Sequence, residues 1–206
     1  PLDINLIKNL FAFIFFSPFL FTLHDIVQYK FLILLLFSGI IGIGFGDTFY
    51  LKSLKLIGTR KTLSIEGLSP ILAALSGGIF INENLSIKSW VGIIIVSISL
   101  ISILKKKNNL IDKNYNFSTK YFAYRNYIYS FLSILCAVIG ALLSRYVFLQ
   151  TNLNPLQTTE IRLLGSLIFL IIIKRFKINF FIYKLESIEK IKFTLSILLG
   201  TNIGIY

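Results

Sequence analysis

The sequence predicts an all-α, polytopic transmembrane helix bundle with inverted repeats, and three observations carry that prediction. The first is composition: 55% of residues are hydrophobic and 15% are charged, with a mean hydropathy of +0.79. A soluble domain carries about 25% charge. The second is a series of apolar runs, several of which approach the ~20 residues that cross a bilayer as a helix. The third is an internal repeat whose two copies start an odd number of runs apart.

Seven apolar runs stand out, at about 9–23, 31–51, 62–82, 87–104, 126–149, 156–173 and 193–206. A membrane admits helices or closed barrels, and none of the runs alternates polar with apolar residues as a barrel strand does. Helices are therefore expected throughout. The first run holds Pro18 near its end. The second carries Gly42, Gly44 and Gly46 in a GIGFG stretch, followed at once by Asp47. Gly42 and Gly46 are four apart, as are Gly200 and Gly204, the spacing that lets transmembrane helices approach closely. A dinucleotide loop is excluded there, because no strand precedes it and no third glycine has the right spacing. The third run contains Glu66 and Pro70 and ends in Asn82-Glu83-Asn84-Leu85. Pro70 removes one helix hydrogen bond and is expected to kink the run. Trp90 and Gly92 open the fourth, and the fifth holds the one cysteine, Cys136, which rules out an internal disulfide and a Cys metal cluster.

The stretch 105–125, KKKNNLIDKNYNFSTKYFAYR, is polar, Asn-rich and basic, and divides the chain into halves. The halves align: Pro1-Leu2 on Pro155-Leu156, Ile7 on Ile161, Lys8 on Arg162, Leu10 on Leu164 and Phe15 on Phe169. After a longer loop, Lys30-Phe31 meets Lys192-Phe193 and Gly42 meets Gly204. Five runs separate the two starts, so the copies are expected in opposite orientations. Inverted repeats are common in secondary transporters, with the site near the midplane where the copies meet.

The net charge is +12. Its Lys and Arg residues lie between apolar runs and form no basic domain, so the expected partners are a lipid bilayer and a small-molecule substrate, with no nucleic acid. If the runs alternate direction, Lys30, Lys88, Arg145 and Arg162 fall on one face and the other seventeen of the 21 basic residues on the opposite one. The positive-inside rule then puts loops 52–61, 105–125 and 174–192 in the cytoplasm.

Asp47 and Glu66 are the residues that most invite a role, since an acid within a membrane run costs about 2.5–3.5 kcal/mol on insertion scales. They suit a cation or proton site. Equally, each suits pairing with a basic side chain of the 52–61 turn. Arg162 and Lys8 fit an anionic substrate, or pairs with Glu160 and Asp3. Glu83 suits contact with helix ends or nearby basic groups. His24, the only histidine, stands beside Asp25. No nucleophile motif, metal spacing or P-loop is present. No enzyme, cofactor or metal is expected, and transport without ATP hydrolysis would be secondary.

Taken in order, Asp47, Pro70, Glu83-Asn84-Leu85-Ser86, Trp90 and Gly92 resemble the EamA domain of the drug/metabolite transporter superfamily. That family usually has Gly-Glu at the turn where this chain has Asn82-Glu83. The resemblance implies about ten helices in full, of which about seven fall here. Residues 1–104 are then a first repeat lacking its first helix, 105–125 a linker, and 126–206 the start of a truncated second repeat. Pro1 at the start and an apolar run reaching Tyr206 fit a fragment. The implied function is secondary transport of amino-acid- or drug-like metabolites, commonly efflux, by alternating access in a bacterial inner membrane. Asp47, Glu66, Pro70, Gly42, Gly46 and Arg162 are the expected pathway residues. A ten-helix member with both ends cytoplasmic would place 52–61 and 105–125 outside; the charge count points the other way and is the expectation retained. The alternatives are a non-transporting receptor or scaffold and an intramembrane enzyme.

Overall fold

The computed structural model describes residues 1–18, 28–83, 85–105, 118–175 and 187–197. Every regular element among them is helical. Helix α1 spans Leu2–Phe16, α2 Tyr29–Ile57, α3 Thr59–Phe80, α4 Ile87–Lys105, α5 Ser118–Gln150, α6 Pro155–Ile173 and α7 Ser187–Ile197. Spans of 29, 22, 25 and 19 residues, at Tyr29–Ile57, Thr59–Phe80, Asn126–Gln150 and Pro155–Ile173, are long and apolar enough to cross a bilayer. The protein is an all-α transmembrane bundle. His24, Asp25, residues 106–117 of the linker, 176–186, and the final run beyond 197 with Gly200 and Gly204 lie outside the described residues.

The elements follow the apolar runs, with differences at their ends. Helix α1 begins well before the run expected at 9–23, because Asn5, Lys8 and Asn9 find partners on α2 and α6 and need no water. Helix α5 begins at Ser118, inside the stretch assigned to the linker. The basic turn expected over 52–61 is Gly58 alone: Lys52 and Lys55 belong to the end of α2, and Arg60 and Lys61 to the start of α3. Gly58 has φ +82 and ψ 161, a region close to glycine-only. Gly58→Ala is therefore expected to lower stability by about 1–3 kcal/mol, read as an earlier thermal melt in detergent. A Cβ there meets no atom within 4 Å, so a melt equal to wild type would refute backbone strain as the reason for glycine.

Helix α3 is broken. Its first segment ends at Glu66 and its second starts at Ser69. Pro70 does not kink a continuous helix as expected. It occupies the first turn of the second segment, where a missing N–H is harmless.

Polarity is reversed relative to a soluble protein. Ile94, Ile95, Ile98, Phe131 and Ile172 face outward, while Asn5, Asn9, Ser38 and Glu160 are fully buried. Helix α2 packs along both α5 and α6, and glycines set those distances. A Cβ on Gly39 would stand 1.9 Å from the Arg162 carbonyl oxygen, and one on Gly165 2.4 Å from that of Leu36. On the α5 side, a Cβ on Gly140 would stand 2.7 Å from the Gly42 Cα, and the Ser38 hydroxyl donates to the Gly140 carbonyl at 2.6 Å. Helix α1 runs antiparallel to α6. Asp3 pairs with Lys174, Asn9 donates to the Ser166 hydroxyl at 3.2 Å, and Ala12 and Phe16 share a hydrophobic cluster with Leu163. Near the Gly58 turn, the Ser53 hydroxyl bonds those of Thr62, at 2.8 Å, and Ser130. That trio fastens α2, α3 and α5 together.

Candidate functional site

The centre of the polar interior is Asp47. It follows directly on a π-helical segment, Ile40–Gly46, within α2. Such segments are rare and concentrate at functional sites. Side chains from α1 hold this one. The Asn5 amide donates to the carbonyls of Ile43, at 3.0 Å, and Gly44, at 3.2 Å, and to the Thr48 hydroxyl at 3.0 Å. Lys8 then makes an ion pair with Asp47.

This corrects three expected pairings. Asp47 does not turn to the basic residues at 52–61. It lies ten residues before the end of α2, about 15 Å along the axis, while Lys52 donates to the Tyr129 hydroxyl at 2.9 Å. Nor do Lys8 with Asp3, or Arg162 with Glu160, form pairs. Residues two apart on a helix do not face one another, which separates Arg162 from Glu160. Asp3 goes to Lys174 instead.

Glu66 sits at the break in α3. The carbonyl that the Pro70 N–H would serve in a continuous helix is that of Glu66, and proline has none to give. The Glu66 carboxylate accepts a hydrogen bond from the Ser133 hydroxyl of α5 at 2.9 Å. Asp47 acts electrostatically on Glu66, and both act on Tyr50. The two acids therefore lie within reach of each other's charge, with Lys8 of α1 paired to Asp47. Arg162 reaches the same region from α6: its Nη2 would lie 3.3 Å from a Cβ on Gly42, and Asp47 acts on it electrostatically. Its Nε is buried with no hydrogen-bond partner. Gly46, by contrast, makes ordinary contact with Cys136 and Ala137 of α5.

The structure thus gathers Asp47, Glu66, Gly42 and Arg162 around one polar interior. Comparison with known families bears on what that interior is for. The EamA-like transporter family matches residues 1–105, which cover α1 to α4. The chain belongs to the EamA-like transporter family. No curated protein matches it. Asp47, Glu66 and Pro70 all fall within the matched stretch, and the EamA-like chain is an integral membrane protein.

The turn that carried the resemblance is also explained. Asn82 takes φ 57, a left-handed conformation that Asn tolerates. Glu83 then reaches α5 and accepts from Arg145 Nε at 2.7 Å, the contact with a basic group expected for it.

Several polar residues of this EamA-like interior escaped the sequence reading. Asn5 and Asn9 stand four apart and form one stripe with Lys8, a pattern visible in the sequence once α1 is known to start at Leu2. Ser133 and Ser166 carry no signal of their own, since serine is common in transmembrane helices. Glu160 is fully buried and neither carboxyl oxygen has a partner.

Proposed function

We propose that this chain is part of a secondary transporter that moves small metabolites through the chamber around Asp47 and Glu66. Amino-acid-like solutes are its substrates, and it works by alternating access. The observation that carries the reading is the gathering of two acids, Asp47 and Glu66, with two bases, Lys8 and Arg162, inside a bundle whose outer surface is apolar. The opposite charges suit a zwitterion: a carboxylate against Arg162 and an ammonium group against Glu66. Transport rather than catalysis is the role, and the coupling is to a gradient.

Inverted halves support alternating access. Under the alignment that sets Pro1 on Pro155, the Asn9 to Ser166 contact maps onto Leu163 to Ala12. The first is a hydrogen bond and the second lies within one hydrophobic cluster. A two-fold axis in the membrane plane imposes that reciprocity on equivalent helices. The end holding Gly58, the start of α5 and the end of α6 carries most of the basic residues and is the cytoplasmic one, in a bacterial inner membrane.

Flux in vesicles carrying the full-length protein tests this reading. With pooled amino acids and related solutes, wild type is expected to move at least one of them. Asp47→Asn and Glu66→Gln, matched for folded protein, are expected to lose at least about tenfold in rate, the scale for breaking a buried hydrogen-bonded charge contact. Wild-type flux retained in both would remove the two acids from the pathway. No flux for any solute would defeat the transport reading itself.

A further inference from the structure

A second polar feature is lined by Arg162 and not by Asp47. Between α5 and α6 is an open cleft of about 400 Å³, within the range of small-molecule sites. Helix α5 lines it with Ser144, Arg145 and Phe148, and α6 with Thr158, Thr159 and Arg162. We propose that this cleft binds an anionic head group, a phosphate or carboxylate, carried on an apolar body.

Which donors are already engaged decides what the cleft can bind. The hydroxyls of Thr158 and Thr159 both donate to the Pro155 carbonyl at 2.8 Å. The first turn of α6 is closed by a capping box between Asn154 and Gln157, so the helix end is not what recognises the ligand. Arg145 gives its Nε to Glu83. Arg162 is different: its Nε is buried without a partner. Two guanidinium groups line the cleft: Arg145 is paired with Glu83, while Arg162 feels the charge of Asp47 without a hydrogen bond to it. A buried guanidinium with donors to spare recognises a planar or tetrahedral oxyanion through paired hydrogen bonds. The Phe148 ring, 5.9 Å from the Arg145 guanidinium, gives the apolar wall. Charge and ring together select an amphiphile over a bare inorganic ion.

Two sources supply that chemistry. One is a solute such as an aromatic carboxylate or phosphate. The other is an anionic phospholipid, since Arg162 lies seven residues inside α6, about 10 Å from its end. The cleft shares Arg162 with the transport chamber but does not depend on the transport reading.

Thermal unfolding of the full-length protein in neutral detergent separates these sources. One arm titrates benzoate and phenyl phosphate against chloride at equal ionic strength. The other adds phosphatidylglycerol against phosphatidylcholine. A saturable rise in melting temperature is expected in at least one arm: the solute arm identifies a soluble ligand, and the lipid arm identifies a membrane one. Arg162→Gln is expected to weaken that binding by about tenfold or more, the worth of a charge-assisted hydrogen bond. Ala141→Phe fills the cleft from α5 without altering charge and is expected to abolish binding. If Arg162→Gln does not fold, Arg162→Lys keeps the charge, loses the fork and should still bind more weakly. Stabilisation in neither arm, or stabilisation unchanged by Ala141→Phe, overturns the proposal. Flux that persists in that case leaves the transport reading intact.

Discussion

Gly165→Ala is expected to destabilise the folded bundle severely, although it adds a single methyl group. That methyl would stand 2.4 Å from the Leu36 carbonyl oxygen, 2.8 Å from its Cα and 3.0 Å from its carbonyl carbon. All three are backbone atoms of α2, so no side chain can rotate away. Relief requires α2 and α6 to separate along their length, which also breaks the reciprocal contact of Gly39 with the Arg162 carbonyl. Overpacking costs about 1–3 kcal/mol and occasionally more, and with immovable backbone on both sides this site belongs at the upper end, a large share of a total stability of roughly 5–15 kcal/mol. Gly39→Ala should behave alike. Gly46→Ala is the control within the same helix. Its nearest neighbours would be the Cys136 Cβ at 3.5 Å and the Ala137 nitrogen at 3.6 Å, ordinary contact, and its cost should stay within about 0.5 kcal/mol. Gly92→Ala meets nothing within 4 Å and should be neutral. Size-exclusion profiles and thermal melts in detergent read the series. Equal tolerance at Gly165 and Gly92 would show that glycine contacts do not hold α2 against α6.

The second large effect lies in the ion pair. Lys8 and Asp47 have side chains 23% and 33% exposed, so the pair is shielded but not fully desolvated. Asp47→Asn leaves an ammonium group without its counter-charge, and Lys8→Met leaves a carboxylate. Each single variant is expected to cost about 1–3 kcal/mol, below the 3–5 kcal/mol of a fully buried pair. The double variant, with neither charge, should be more stable than the sum predicts by at least about 1 kcal/mol. Stability and flux then separate the roles. If the double variant melts like wild type yet transports nothing, the pair acts in the transport cycle. If it regains flux, the pair is a structural clasp. Additive costs would show that the two charges do not interact.

The architecture was legible because its cause is local. A backbone in lipid must satisfy its own hydrogen bonds, so a long apolar run is a helix whatever surrounds it. The runs at 31–51, 126–149 and 156–173 accordingly fall within α2, α5 and α6. The order of Asp47, Pro70, Glu83, Trp90 and Gly92 was enough to reach the family. The four-residue spacing of Gly42 and Gly46 marked a packing face of α2, where Gly42 meets Gly140 of α5. It did not mark the still closer approach of α2 to α6 at Gly39 and Gly165, because closeness depends on which helix lies opposite.

The partners of the charged residues were decided by tertiary structure. Sequence nearness suggested Asp47 with the 52–61 turn, Lys8 with Asp3 and Arg162 with Glu160. The fold instead joins Lys8 to Asp47 and Asp3 to Lys174, and leaves Arg162 Nε unpaired. A side chain's partner in a bundle is whatever sits at its depth on the neighbouring helix. Depth and neighbour both follow from how helices far apart in sequence pack. By itself, the sequence determined that this chain is a helical membrane protein of a transporter family. Which polar groups meet inside it was decided only by packing, since contact across a bundle is a property of geometry and not of spacing along the chain.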